Sequence, residues 1–436
     1  MTSLFHQTHG CGSSRPRRSG QLFLRREPHP TACGRGCRGF FRLQAALFSG
    51  QKIPAQRRVM NAAFGHCFLW LRRKPDDTIR RLKYGLDAKM LGIYRFGLAA
   101  LVVVAHLTEG RLFFEHWGIF AVFGFYLISG YLMTVVLNEA YSFNLPSFAK
   151  NRFLRLFPIY YVAALITIIA IVVIPGAKEY HNAWTYTGRA IDVVGNLFIF
   201  PFEFYDASFR LIPPAWSVGV ELINYFVLWL FVARSKKLAV ITVGATLIYH
   251  AATFAMDMDW TKRYFPFYAA LLPFSMGACI YFFKDFAKKM TPTLLHTIAG
   301  ASVLIGVANL LACGLFSGLA FKSFNLFFYI NLICMTSFIY CVANSSLQKT
   351  FKHSGKLLGD LAYPMFLLHR VVGFIMSYLV LDGQRRGLSL VAVSIIPILL
   401  LSYGLAWSAN KWLEPVRNVI RRQAKTANPA SSAEAV

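Results

Sequence analysis

The feature that most constrains this chain is a succession of apolar runs, each close to twenty residues long. The hydrocarbon core of a bilayer is about 30 Å thick and takes roughly 20 helical residues to cross. Inside it every backbone N–H and C=O must be paired within the protein, which leaves helices or closed barrels as the only solutions. The runs lie near 91–108, 117–137, 156–175, 216–233, 238–256, 264–283, 293–312, 324–343, 360–381 and 388–409. Of the 436 residues, 56% are hydrophobic and only 15% are charged, against about 25% charged in a soluble domain. The expected fold is an all-α integral membrane protein of about ten transmembrane helices.

The formal charge of +27 invites a nucleic-acid partner, but its distribution points elsewhere. Residues 1–86 carry 14 Arg and 3 Lys against three acids, Glu27, Asp76 and Asp77. Most of the remaining excess falls in short loops between the runs, the pattern of loops that face the cytoplasm and anionic lipid headgroups. No nucleic-acid partner is expected; anionic membrane lipid is.

That charge also sets the topology. Lys150, Arg152 and Arg155, the Arg234–Lys237 stretch, Lys284–Lys289, Lys349–Lys356 and Arg417, Arg421 and Arg422 fall on one side only if the short apolar patch 190–201 does not cross. The patch reads as a re-entrant segment or half-helix on the outer side, tolerated where it lines a cavity. Both termini are then cytoplasmic. Residues 1–88 lack an apolar core with a small-residue cleavage site, so they are not a secretory signal. They read as a basic extension, disordered or upstream of the true start, with Met60 and Met90 as internal alternatives. Residues 89–413 form the membrane domain. Glu414-Pro415 is expected to stop the last helix, leaving 414–436 as a cytoplasmic basic tail. The eight cysteines have irregular spacing and suit buried thiols; no metal site is expected.

Polar residues inside such runs are costly and usually face a cavity. Arg95 and His106 are eleven residues apart, about three helical turns, so they share one face roughly 16 Å apart along the axis. Arg95 would sit near the inner interface and His106 toward the outer half. His106 suits a general base, since imidazole titrates near neutrality; a snorkelling arginine and a packed histidine are the plainer alternative. Ser129-Gly130 suits close helix packing, or brings a hydroxyl to a ligand. Lys150-Asn-Arg152-Phe-Leu-Arg155 is either an ordinary inner loop or an anion site, since Arg binds phosphate through a planar fork of donors. Pro158 would then occupy the first turn of the third helix. Glu221, beyond Trp216 and Ser217, is either a structural salt-bridge partner or a carboxylate that orients a substrate. Tyr363 and the adjacent His369-Arg370 complete the set. His250 and His296 read as structural.

Taken in order, these blocks resemble membrane acyltransferase family 3, the O-acyltransferases of bacterial surface glycans and related acceptors. The resemblance rests on Arg95 with His106, Phe125-Tyr126-Leu-Ile-Ser129-Gly130, Arg152 with Arg155 and Pro158, Trp216-Ser217 with Glu221, and Ala362-Tyr363 with Leu367 and His369. It implies transfer of an acyl group, most often acetyl, from acyl-CoA to a hydroxyl of a carbohydrate or lipid-linked glycan, in a bacterial inner membrane. His106 would deprotonate the acceptor, with an acyl-histidine as the variant, and Glu221 would orient His106 or the acceptor. Arg95, Arg152 and Arg155 would receive the CoA phosphates. Ser129, Tyr363 and His369 would line the substrate tunnel. Two departures, Phe123 where many members carry Asp and Leu222-Ile223 after Glu221, make the acceptor side less polar and disfavour a strongly cationic acceptor. Succinyl transfer to periplasmic glucan, a glycan or lipid transporter without acyl transfer, and a purely structural membrane protein are the competing readings.

Overall fold

The structure is a computed structural model that describes residues 89–108, 112–205, 207–316, 321–345, 352–383 and 385–426. The described residues belong to the second of two units into which the chain divides, Pro75–Val436. The expectations for residues 1–88, including Cys11, Cys33, Cys37 and Cys67, lie outside the described residues.

Each of the ten apolar runs forms a helix. They are α1 (Lys89–Leu107), α2 (Trp117–Val136), α3 (Leu145–Val173), α5 (Trp216–Leu230), α6 (Lys236–Ala255), α7 (Phe267–Phe282), α8 (Pro292–Leu315), α9 (Phe321–Ala343), α10 (Lys352–Val380) and α11 (Leu388–Thr426). Between α3 and α5 lies the nine-residue α4 (Ala190–Phe198). Among the described residues, eight helices are long and apolar enough to cross a membrane. The exceptions, α5 and α7, have 15 and 16 residues. Large apolar side chains such as Val172, Ile248, Leu304 and Leu400 stay exposed, as a lipid-facing surface requires. This is an all-α membrane fold.

The patch at 190–201 forms α4, about 14 Å long at 1.5 Å per residue, half of a bilayer core. Its Ile191, Val193, Val194, Leu197 and Phe198 are exposed while Asp192 is buried. Such a helix suits the membrane surface, with its apolar side outward.

Three local expectations are corrected. The helix holding Pro158 does not start there: Asn144 accepts a bond from the Ser147 N–H at 3.0 Å and caps it, with Pro146 in the first turn. Pro158 therefore lies inside α3, which at 29 residues runs about 43 Å. Its first turns carry Lys150, Arg152 and Arg155 as helix, not loop. Nor does Pro415 stop the last helix, since α11 continues to Thr426. Proline within such helices is tolerated because neighbouring groups satisfy the backbone it frees.

Two glycine contacts bring the central helices together. A Cβ on Gly92 of α1 would lie 1.9 Å from the Gly355 carbonyl oxygen of α10, and one on Gly130 of α2 would lie 2.1 Å from the Phe274 oxygen of α7. Only glycine permits either crossing. Ser129-Gly130 thus has a packing role through its glycine. The first crossing fixes α1, with Arg95 and His106, against α10, with Tyr363 and His369.

Candidate functional site

The two ends of α1 open into different pockets. The arginine end begins with a pocket of about 300 Å³ lined by Arg95, Arg152, Arg155, Lys356, Arg417 and Arg421, with Asp360 and Glu414 as its acids. The cations outnumber the acids by four. Asn410 donates to Asp360 Oδ2 at 2.9 Å. Arg417 is held by Glu414 at 2.5 Å and by Asn151 Oδ1 at 3.2 Å. Arg152 is buried, 3.4 Å from both Met133 Sδ and Asn151 Oδ1, with its guanidinium 5.7 Å from the Phe148 ring centre. The structure therefore brings the three arginines singled out in the sequence into one basin.

A smaller pocket of about 70 Å³ shares Arg95, Arg152, Arg155 and Tyr363 with it, and adds Ser129, Glu221, Tyr225, Phe125 and Phe366. Glu221 Oε1 accepts from both Ser129 Oγ and Tyr225 OH. Tyr363 donates to the Leu156 carbonyl at 3.2 Å. Here the expected geometry is corrected. Glu221, expected to orient His106 or the acceptor, lies among the arginines, tied to α2 and to its own helix. The register of α5 explains this: Trp216, one turn nearer the helix start, faces the other pocket.

His106 is paired with His369 instead. Their Nδ1 and Nε2 atoms are 2.8 Å apart, and the ring centroids are 5.1 Å apart with the planes 23° from parallel, so the rings meet edge to edge along that bond. His369 Nδ1 lies 2.8 Å from the Phe366 carbonyl oxygen. That contact sets the tautomers. A carbonyl can only accept, so His369 Nδ1 carries the proton and Nε2 is an acceptor. His106 Nδ1–H must then donate to it, which leaves the lone pair on His106 Nε2. The chain of bonds prepares a proton-accepting atom, and His369 is the partner of His106 rather than a tunnel neighbour of Ser129.

His106 lines a third pocket of about 580 Å³, with His181, Tyr205, Arg210, Trp216, Phe265 and Arg370 among its walls. The irregular segment between α3 and α5 builds much of it. Asn196 donates to Phe209 O at 3.0 Å and accepts from the Leu211 N–H at 2.7 Å. The Arg210 N–H donates to Ala183 O at 2.9 Å. Buried Asp192 is engaged by Ser208 at 2.8 Å and by Arg189 at 3.8 Å. Tyr180 and Trp184 pack on Phe374 of α10 at 5.2 and 5.3 Å, docking this segment beside His181.

Sequence reasoning missed His181, Tyr205 and Arg210. A signal was present: Arg210 lies in the Phe-Pro-Phe-Glu to Pro-Pro stretch directly ahead of the Trp216-Ser217 block. The two histidines read as structural differ. His250 is bonded to Tyr329 at 2.9 Å and to the Ala269 carbonyl at 3.1 Å; His296 lies far along the chain in α8, outside all three pockets. Among the described residues no group of three or more His, Cys, Asp or Glu is placed to hold a metal ion.

The family model described as an acyltransferase domain matches residues 91–407, a span that takes in the second and third pockets and, of the first, Arg95, Arg152, Arg155 and Lys356 but not Glu414, Arg417 or Arg421. No curated protein and no solved structure matches the chain.

Proposed function

The chain belongs to the acyltransferase family 3 and is a membrane acyltransferase, and from that premise we propose that it carries an acyl group, acetyl first, from acyl-CoA on the arginine side to a hydroxyl of a carbohydrate on the histidine side. The observation that carries this reading is the placement of a cationic basin and a tautomer-fixed histidine pair at opposite ends of one helix, α1. Guanidinium groups suit phosphates through charge-assisted, often bidentate bonds, so Arg95, Arg152 and Arg155 receive the phosphates of CoA. The pantetheine arm then passes Ser129, Glu221 and Tyr363 toward Phe366, whose ring centre is 6.2 Å from that of His369.

The acceptor waits beside His106. Its O–H proton passes to His106 Nε2 as its oxygen bonds to the thioester carbonyl carbon. The C–S bond then breaks, and the departing thiolate takes a proton from the imidazolium to leave as CoA thiol. Glu221 acts on the donor side, holding Ser129 and Tyr225 as a polar wall. The excess of cations on the arginine side supports a reading with that side and both termini in the cytoplasm, in a bacterial inner membrane.

The test uses membranes containing the full chain, supplied with radiolabelled acetyl-CoA. His106→Ala abolishes transfer of label to glycan, and Arg152→Ala with Arg155→Ala raises the KM for acetyl-CoA in a salt-dependent way. Full transfer by His106→Ala, with the protein folded and at normal abundance, overturns the assignment. Mass analysis of surface polysaccharide from a deletion strain identifies the acyl group lost.

A further inference from the structure

A groove of about 440 Å³ lies where α6, α7, α8 and α9 meet, and it shares no lining residue with the three pockets above. Its deepest lining residues are Val243, Met276, Ile298 and Thr336. Val243 and Thr336 stand seven residues from a helix end, and Met276 and Ile298 six, so the groove reaches about 10 Å down from one end of the bundle. Lysines ring that end. Lys236 Nζ is 4.1 Å from the ring centre of Phe283, a lining residue, and Lys289 directly precedes Met290, another. From this we propose that the groove binds one anionic glycerophospholipid, with an acyl chain along its apolar walls and the headgroup phosphate held by Lys236 and Lys289. Such a site stands apart from acyl transfer.

The walls select hydrocarbon. Apolar space of this size is costly to leave empty, since helices in contact pack to crystal-like density. Water finds few partners there: Thr336 already donates to the Leu332 carbonyl at 2.7 Å, and Tyr340 to that of Phe283 at 3.0 Å. Phe283 and Phe286 on the rim are exposed, so the groove opens to the surroundings of the bundle. Close to a helix end those surroundings are the outermost acyl-chain carbons and the glycerol region.

The rim selects among lipids. Lys284 is engaged by Glu139 at 3.5 Å and Lys288 by Asp285 at 2.5 Å. Lys236 and Lys289 are exposed, and among the described residues no carboxylate pairs with either. Basic residues at the mouth of a cleft between membrane helices draw acidic headgroups. A lysine stem lies along apolar surface while its ammonium reaches the phosphates, the posture of Lys236 against Phe283. The groove also carries a reporter. Cys279 and Cys341 line it as free thiols, the second buried and the first partly exposed. An acyl chain in the groove covers Cys279, whereas a free phosphate held by the lysines leaves it open.

The experiment places the full chain in phosphatidylcholine nanodiscs in which phosphatidylglycerol replaces a rising fraction of the lipid. A neutral maleimide is added, and its attachment to Cys279 is read by peptide mass spectrometry, which separates this thiol from the others. The expected result is labelling that slows to a plateau as phosphatidylglycerol rises. Lys236→Gln and Lys289→Gln each weaken the protection by about fivefold, the share of one lysine beside an acidic headgroup. Lys236→Arg, which keeps the charge, retains it. Both lysines are exposed, and melting temperature checks that the variants stay folded. Glycerol phosphate in solution gives no protection. Equal labelling in neutral and anionic discs overturns the proposal. So does protection by glycerol phosphate, or protection undiminished in both glutamine variants. A Cys279 closed to maleimide in every disc, as an interface between two copies of the chain would make it, overturns it as well. Each of these results leaves acyl transfer standing, since that reading rests on the other pockets.

Discussion

Replacing His369 by alanine tests the histidine pair directly. His369 is fully buried, takes the His106 Nδ1 proton into a 2.8 Å hydrogen bond, and is itself fixed by the Phe366 carbonyl at 2.8 Å. Without that acceptor His106 has two options. It keeps a buried, unpaired Nδ1–H, which costs about 1–3 kcal/mol, or it moves the proton to Nε2, where the ring can no longer accept one from the acceptor alcohol. At about 1.4 kcal/mol per tenfold, the productive form falls by roughly fivefold to 150-fold, and kcat falls with it. The KM for acetyl-CoA stays unchanged, because the arginine basin is at the other end of α1. His369→Gln offers a carbonyl oxygen where Nε2 stood and recovers part of the rate. The assay is the initial rate of label transfer from acetyl-CoA in membranes, normalised to folded protein by thermal melting in detergent. An alanine variant within twofold of the parent kcat, or alanine and glutamine variants equally impaired while both stay folded, refutes the reasoning.

Glu221→Gln keeps an acceptor for Ser129 and Tyr225 while removing a negative charge from beside three arginines; the KM for acetyl-CoA holds or falls, and a tenfold rise measured by donor titration contradicts a donor-side role. Gly92→Val forces α1 and α10 apart where a Cβ would lie 1.9 Å from the Gly355 oxygen; overpacking costs about 1–3 kcal/mol, read as a lowered melting temperature together with lost transfer. Phe366→Ala removes one ring of the pair Phe125–Phe366, whose centroids are 6.2 Å apart; acceptor-independent release of CoA thiol rises several-fold over the parent as water from the histidine side reaches the thioester, and an unchanged rate of thiol release counts against that wall.

The membrane helices were legible because their signal is local: each apolar run carries its own length, and every one became a helix. The register of Arg95 with His106 was legible for the same reason, since both lie on one helix of known pitch. Partnerships between helices were not. Glu221 and His369 each sit in an apolar run with nothing in sequence to say which neighbour they meet. The crossing of Gly92 against Gly355 and Gly359 sets α10 beside α1 and gives His369 to His106, whereas α5 meets α2 at Ser129 and gives Glu221 to the arginines. Pro158 and Pro415 misled because proline breaks helices in water by leaving a carbonyl unpaired and by steric clash; inside a bundle the surrounding groups absorb both. Arg210 escaped notice because its place depends on Asn196 and Ala183 holding an irregular segment, which no periodicity encodes.

The separation of the pockets has a physical consequence. The arginine pockets and the histidine pocket share no lining residue, yet the adjacent Ser217 and Trp216 of α5 line one each, and the Phe366 ring on the arginine side is 6.2 Å from that of His369. On the proposed reading, CoA, which carries several charges, stays where guanidinium groups hold it, and a polar glycan stays in water on the far side. Neither substrate has to cross the bilayer if only a slim acyl-pantetheine arm threads the aromatic wall. The roughly 16 Å between Arg95 and His106 is then the span the arm must cover, set by eleven residues of one rigid helix. A narrow apolar wall also keeps water from the thioester until the alcohol is in place. On the proposed reading chemistry on this scaffold is vectorial, because His106 lines the pocket assigned to the acceptor and neither of the arginine pockets.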